Sequence, residues 1–131
     1  MLTAANLKAL ARARLADAEA LCHSRRFDCA AYLCGYVVEL ALKARICRTL
    51  KWPIFPEKRS EFEDLQSFKT RDLVVLLRLS GREPYIRESL FPEWAILREW
   101  NPEARYRPIG SVTAPAVREM IAAARRVMMK L

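Results

Sequence analysis

The sequence predicts an all-α fold, a single up-and-down bundle of about five helices over residues 1–131. Apolar residues recur at helical spacing near both ends of the chain, which is typical of amphipathic helices. Only three glycines interrupt the 131 residues, which favours long helices over many short strands. The chain is 53% hydrophobic and 29% charged, and it contains no repeat. These values are typical of one globular domain.

The first part of the chain predicts two long helices. The first is expected over about Leu2 to His23. Its inward stripe consists of Leu7, Ala11, Leu15, Ala18 and Cys22. The second starts near Phe27 and is apolar on nearly all sides up to Lys43, so we expect it at the centre of the domain. Gly35 interrupts it and predicts a close crossing by another helix, and Pro53 prevents the helix from continuing.

The rest of the chain predicts shorter helices joined by loops. In order, the segments are a charged connector at 51–69, a third helix capped by Thr70 and ended by Gly81, a fourth helix over about Ser89 to Trp100, a loop over Glu103 to Val112 and a last helix from Thr113. The apolar face of the last helix consists of Val117, Ile121, Ala124, Met128 and Leu131.

The cysteines predict buried free thiols and not a metal site. Cys22, Cys29, Cys34 and Cys47 form no CxxC pair, and His23 is the only histidine. The sequence also lacks a glycine-rich phosphate loop and a Ser/His/Asp set. We therefore predict no metal and no cofactor.

The net charge of +8, from 23 basic and 15 acidic residues, permits two interpretations. A basic surface can bind a polyanion such as RNA, or it can simply keep the protein in solution. The amphipathic start lacks the apolar core of a signal peptide, and the apolar run at 29–38 is too short to cross a bilayer. These features predict a cytoplasmic protein without a membrane partner.

Three segments have a more specific pattern than amphipathic helices do. Residues 25–46 place one Glu in a long apolar helix, residues 68–77 read FKTRDLVVLL, and residues 94–108 read WAILREWNPEARYRP. Together and in this order they resemble the HEPN-domain family. In that family the helix after the connector commonly opens with a Thr-His-Asp-Leu-like step, and here Arg71 stands at the His position.

The resemblance implies a small helical bundle, usually a dimer, with one of two roles. Some members are metal-independent ribonucleases, often toxins neutralised by a nucleotidyltransferase partner. Others lack the catalytic pattern and serve as interaction or nucleotide-binding modules. That pattern is an Arg and a His with four to six residues between them, and a polar residue just after the Arg. Arg98 matches the Arg, Glu99 and Asn101 are the polar candidates, and Arg105 stands near the His position.

Several residues have both a structural and a functional interpretation. Glu39 is a single acid on an apolar helix, and burial of a carboxylate requires a partner. We expect an arginine from 98–107 to pair with it, although Glu39 could instead orient Arg98 or Arg105 towards a phosphate. Lys43 lies one turn beyond Glu39 and can pair with it as well.

The segment around Tyr106 also permits two interpretations. Arg105, Tyr106 and Arg107 could clamp a phosphate and stack a base, or they could hold the loop in place. We interpret Trp94 and Trp100 as core or dimer-interface aromatics. The candidate ligand-binding residues are Glu39, Lys43, Arg98, Arg105, Tyr106 and Arg107.

The favoured interpretation is a homodimeric accessory protein that acts with a nucleotidyltransferase-type partner and binds RNA or a nucleotide. The alternative is a ribonuclease toxin that uses Arg98, Asn101 and Arg105 without a histidine. Arginine cannot accept a proton at neutral pH, so the sequence favours the role without catalysis.

Overall fold

The computed structural model describes residues 2–131 and confirms the all-α prediction. Met1, the first residue of the predicted domain, lies outside the described residues. The six helices are α1 (Ala4–His23), α2 (Phe27–Leu50), α3 (Leu73–Ser80), α4 (Glu83–Ser89), α5 (Phe91–Leu97) and α6 (Ala114–Lys130). Three short 3-10 turns cover Arg59–Phe62, Gln66–Phe68 and Pro102–Tyr106. No strand occurs in residues 2–131, and no helix there is long and apolar enough to cross a membrane.

Helices α1 and α2 form the central hairpin of the bundle. Thr3 caps α1 by accepting a hydrogen bond from the Asn6 amide, and the tight turn places Arg25 at a φ of 60°. Leu7, Ala11, Leu15 and Ala18 are buried as predicted, whereas Cys22 is only half-buried. Helix α2 packs against α1, α3 and α6, which confirms its central position.

Gly35 is a point of close approach, but a side chain and not a helix lies against it. A Cβ at Gly35 would overlap the indole of Trp100, which follows α5. The prediction of a helix crossing was therefore wrong in its partner. The glycine in α2 indicates that a neighbouring group lies close to the helix backbone, but the sequence of α2 does not identify that group.

The connector between α2 and α3 contributes aromatic side chains to the core. Phe55 and Phe62 are buried, and the Phe55 amide donates to the Leu2 carbonyl at 2.7 Å. Trp52 contacts both Phe55 and Phe68. The aromatic side chains of this segment thus pack on the hairpin. Its many charged residues had predicted only a connector without a role in the core.

Three predicted helix boundaries were wrong. Asp72, not Thr70, caps α3 by accepting from two amides, because a carboxylate at that position reaches both. Gly81 ends α3 in the left-handed region, as predicted. The predicted fourth helix corresponds to α5, which begins at Phe91 and not at Ser89 and ends at Leu97 and not at Trp100, and α4 before it was not predicted. Pro92 cannot donate the amide that a continuous helix would need.

The remaining predictions concern α6 and the buried side chains. Helix α6 begins beside Thr113 as predicted, Thr113 is its N-cap, and the apolar face of α6 is buried except for a half-exposed Met128. Trp94 and Trp100 are buried within one copy of the chain. The Glu103–Val112 loop is partly a 3-10 turn.

The cysteine prediction was partly wrong. Cys34 and Cys47 are buried free thiols as expected, but Cys29 is exposed. Its position within an apolar run of α2 predicted burial, yet the run turns one face to solvent. Among residues 2–131, no group of three His, Cys, Asp or Glu side chains could hold a metal ion.

Candidate functional site

The buried carboxylate of Glu39 is the centre of a polar cluster on α2. Its side chain is 4% exposed. Oε1 accepts from Arg71 Nε at 2.7 Å, and Oε2 accepts from Lys43 Nζ at 3.2 Å. The pairing with Lys43 confirms one prediction. The prediction of an arginine from 98–107 as the second partner was wrong. Helix α3 packs against α2, and this places Arg71, just before α3, at the carboxylate.

Arg71 links Glu39 to an aromatic surface. Its Nη2 donates to the Tyr32 hydroxyl at 3.1 Å, and its guanidinium lies 5.8 Å from the Tyr36 ring centre and 5.7 Å from that of Trp100. Burial would lower the pKa of Arg71, but its hydrogen bonds to Glu39 and Tyr32 raise that pKa overall. Arg71 is therefore a fixed cation.

Trp100 closes this cluster against α2. Its indole Nε1 donates to the Tyr32 carbonyl at 3.1 Å, and its ring lies 5.8 Å from the Tyr32 ring. Because Gly35 has no side chain, the indole can lie directly on the α2 backbone. The position of Trp100 fixes the start of the 3-10 turn that follows.

Arg105, in that turn, acts on the same tyrosine. The hydrogen bond from Arg71, followed by that from Arg105, lowers the pKa of the Tyr32 hydroxyl against the opposing effect of burial. The Arg105 guanidinium lies 4.8 Å from the ring centre of Tyr106, and contacts with Tyr106 and then Tyr32 raise its pKa. The Tyr106 side chain is 72% exposed, so this ring faces solvent next to a cation.

Two clefts border the ring pair of Tyr32 and Trp100: Trp100 lines one, and Tyr32 lines the other. One has a volume of about 410 Å³ and is lined by Arg71, Asp72, Val74, Arg98, Glu99, Trp100, Asn101 and Pro102. The other has a volume of about 260 Å³ and is lined by Asp28, Cys29, Tyr32, Ala104, Arg105, Arg107, Ile109, Ser111 and Val112.

The predicted site residues divide between these clefts. Arg98 and Asn101 line the larger one, and Arg105 and Arg107 line the smaller one. Asn101 Oδ1 accepts from the Glu103 amide at 2.9 Å, so that oxygen already caps the turn. Glu39, Lys43 and Tyr106 line neither cleft. Glu39 binds Arg71, Lys43 binds Glu39, and Tyr106 lies at the surface.

Sequence reasoning missed three residues that build this site. Arg71 was noted only as a replacement for a histidine, and Tyr32 was not singled out. Asp28 accepts from the Gly110 amide at 2.7 Å and from the Val112 amide at 3.1 Å, which ties the loop to α2. A polar residue at every turn of an otherwise apolar helix was the signal that could have identified Asp28 and Tyr32.

His23 lies elsewhere. It lines a separate cleft of about 400 Å³ with Glu19, Arg25, Arg118 and Arg125, at the end of α1. Neither of the two clefts beside Trp100 has an imidazole among its lining residues. Neither cleft therefore contains the histidine that the family ribonuclease pattern uses to accept a proton.

A profile of the HEPN domain matches residues 4–131, nearly the whole chain. The chain belongs to the HEPN-domain family. This confirms the resemblance of the three segments and agrees with the helical fold. No curated protein and no solved structure matches the chain significantly.

Proposed function

We propose that this HEPN-family protein is an accessory module that binds the phosphates and bases of single-stranded RNA or a nucleotide and does not cleave them. It acts in the cytoplasm with a separately encoded nucleotidyltransferase-type partner. One observation carries the proposal. Arginines line both clefts beside Trp100 with no histidine among the lining residues, and one of these arginines, Arg71, is held by Glu39 and Tyr32.

A fixed arginine favours binding over catalysis. Metal-independent RNA cleavage needs a group that removes the 2′-hydroxyl proton and later returns it. A guanidinium stays protonated at neutral pH, so Arg71, Arg98 and Arg105 can bind phosphate but cannot act as that base. Loss of a general base typically costs about 100- to 10,000-fold in rate.

The exposed groups around the clefts suit a nucleic acid. Arg98, Arg105 and Arg107 can form charge-assisted hydrogen bonds to phosphate oxygens. The Tyr106 ring beside Arg105 offers a stacking surface, as proteins that bind single strands commonly do. This combination supports RNA or a nucleotide as the ligand.

The test combines cleavage and binding of a single-stranded RNA by the full chain, with EDTA present. We expect intact RNA and binding that weakens as salt rises, because each phosphate contact releases a counterion. Arg98→Ala and Arg105→Ala should weaken binding, and each should reduce the slope of log affinity against log salt by about 0.7.

Arg118→Ala is the matched control, because Arg118 is exposed and lines the His23 cleft instead. It should leave affinity nearly unchanged. RNA cleavage by the wild type that Arg98→Ala and Arg105→Ala both abolish would establish the alternative, a ribonuclease toxin. Equal weakening by all three variants, or by none, would reject a binding site at these clefts.

The proposed nucleotidyltransferase partner has its own test. A gene for a small nucleotidyltransferase beside the gene of this protein, and co-purification of the two products, would support the pairing. Purification of both proteins from one cell without association would contradict it.

A further inference from the structure

Another cavity lies between α1, α2 and the end of α6, and it shares no lining residue with the clefts beside Trp100. Its volume is about 480 Å³. The lining residues are Lys8, Ala11, Arg12, Ala41, Arg48, Met128, Met129, Lys130 and Leu131. Four of the lining side chains are cationic and none is acidic.

Two arginines at this end of the bundle have a structural role. Arg48 Nη1 donates to the Leu131 carbonyl at 3.2 Å, and Arg82 Nη2 donates to the Lys130 carbonyl at 3.1 Å. Cations that bind the last carbonyls of a helix stabilise its end. Arg48 and Arg82 therefore have a structural role, because they bind carbonyls at the end of α6.

Lys8, Arg12 and Arg45 have no such explanation. None of the three has an ion-pair or hydrogen-bond acceptor for its side chain among residues 2–131, and Arg45 Nε is buried without one. Burial, then Arg48, Arg12 and Arg45, lowers the pKa of Lys8. Burial, then Arg48 and Arg82, lowers the pKa of Arg45. The cations repel one another, and no acidic side chain among residues 2–131 pairs with Lys8, Arg12 or Arg45 to compensate their positive charge.

We infer that this cavity binds a compact polyanion with two or more phosphate groups, such as a nucleoside polyphosphate or an inorganic polyphosphate. Guanidinium and ammonium groups on two adjacent helices can bind several phosphate oxygens at once. The volume is in the range of small-molecule sites. Met128, Met129 and the two alanines form an apolar wall that could contact a base.

Calorimetric titration of the full chain with sodium tripolyphosphate tests the inference. We expect binding by the wild type and a loss of about tenfold or more for Lys8→Gln and for Arg12→Gln, the effect of one charge-assisted hydrogen bond. Arg118→Gln removes one charge at a different cleft and should bind as the wild type does. Tighter binding of ATP than of tripolyphosphate would assign the ligand as a nucleotide, and equal binding would assign phosphates alone.

Thermal unfolding of the same variants gives an independent result. Without ligand, Lys8→Gln should raise the melting temperature, because it removes repulsion from Arg12, Arg45 and Arg48. A lower melting temperature would contradict the absence of a structural partner for Lys8. Absence of tripolyphosphate binding by the wild type, or an equal loss in Arg118→Gln, would overturn the inference. Binding of RNA but not tripolyphosphate, abolished by Lys8→Gln, would overturn it in favour of an RNA surface.

Discussion

At the scale of single residues, the buried carboxylate of Glu39 determines how the site is built. A charge removed from water must be compensated by partners of good geometry, and Glu39 has two, Arg71 and Lys43. The same contacts fix Arg71 against Tyr32 and Trp100. A structural ion pair therefore also orients a cation at the edge of a cleft.

Replacement of Arg71 by methionine should lower the free energy of unfolding by about 2 kcal/mol. Loss of one partner of a buried ion pair usually costs more, but Arg71 is one-third exposed and Lys43 remains. Urea denaturation measures the change. The double variant Glu39→Leu, Arg71→Met should recover most of the loss, since no buried charge is then left. A loss below about 0.5 kcal/mol for Arg71→Met would contradict the role of the pair.

The cysteines should differ sharply in reactivity. Burial raises the pKa of the Cys34 thiol to about 12, whereas Cys29 is exposed. At mildly alkaline pH a thiol reagent should modify Cys29 in the native protein, and Cys34 only after denaturation. Because the folded pKa is raised, the contribution of Cys34 to stability is complete below the pKa of an unfolded thiol and is lost as pH rises towards 12. Rapid native labelling of Cys34 would contradict this.

At the scale of elements, one face of α2 supports the whole site. Asp28, Tyr32, Tyr36, Glu39 and Lys43 recur every three or four residues, so they lie on one side of the helix. The loop before α6, the turn after α5 and the segment before α3 all attach to this face. Up to Lys43 helix α2 is thus apolar on its other sides, and its polar stripe determines which loops meet.

Asp28→Ala should release the loop before α6 without unfolding the bundle. The carboxylate accepts from the amides of Gly110 and Val112, and each hydrogen bond to a charged acceptor contributes about 1.5–3 kcal/mol. Hydrogen exchange should accelerate at these two amides and not in α1. Asp28→Asn is the matched control and should retain part of the protection. Unchanged exchange in the alanine variant would show that the contact does not hold the loop.

Gly35→Ala should displace Trp100 from α2. The added methyl would overlap the indole, and overpacking of this kind costs about 1–3 kcal/mol. Tryptophan fluorescence and urea denaturation should both change. Gly110→Ala provides the contrast, because nothing lies within 4 Å of a Cβ there. Its φ of 88° should cost stability while leaving the fluorescence of Trp100 unchanged. Identical fluorescence in wild type and Gly35→Ala would reject the close contact.

At the scale of the whole molecule, the distribution of charge and the exposed apolar surface indicate where a partner could bind. The cavity near Lys8 is lined by four basic and no acidic side chains, whereas the larger cleft beside Trp100 has two basic and two acidic residues and the smaller one has two basic and one acidic. Trp94 and Trp100 are buried within one chain, which confirms the interpretation as core aromatics, so the predicted dimer interface has to rest on other side chains. The exposed apolar side chains include Phe91, Ile109 and Met129.

A homodimer remains our prediction, now assigned to these exposed apolar side chains. Phe91 is 63% exposed and Ile109 is fully exposed, and two-fold symmetric dimers are the commonest oligomers. Light scattering should give twice the mass of the chain at micromolar concentration. Phe91→Glu or Ile109→Glu should yield the monomer mass, and Glu88→Lys should not. A monomer mass for the wild type would contradict the prediction.

The sequence by itself determined the all-α class, the central α2 helix, the end of α3 at Gly81, the start of α6 at Thr113, and the family. These follow from local periodicity, from the left-handed conformation that glycine permits and from motifs in a fixed order. Only the tertiary structure decided that Arg71 and not an arginine of 98–107 compensates Glu39, and that Trp100 lies on Gly35. The clustering of Lys8 with Arg45 and Arg48 also depended on packing. Such pairings depend on which elements meet in space, and spacing along one helix does not encode that.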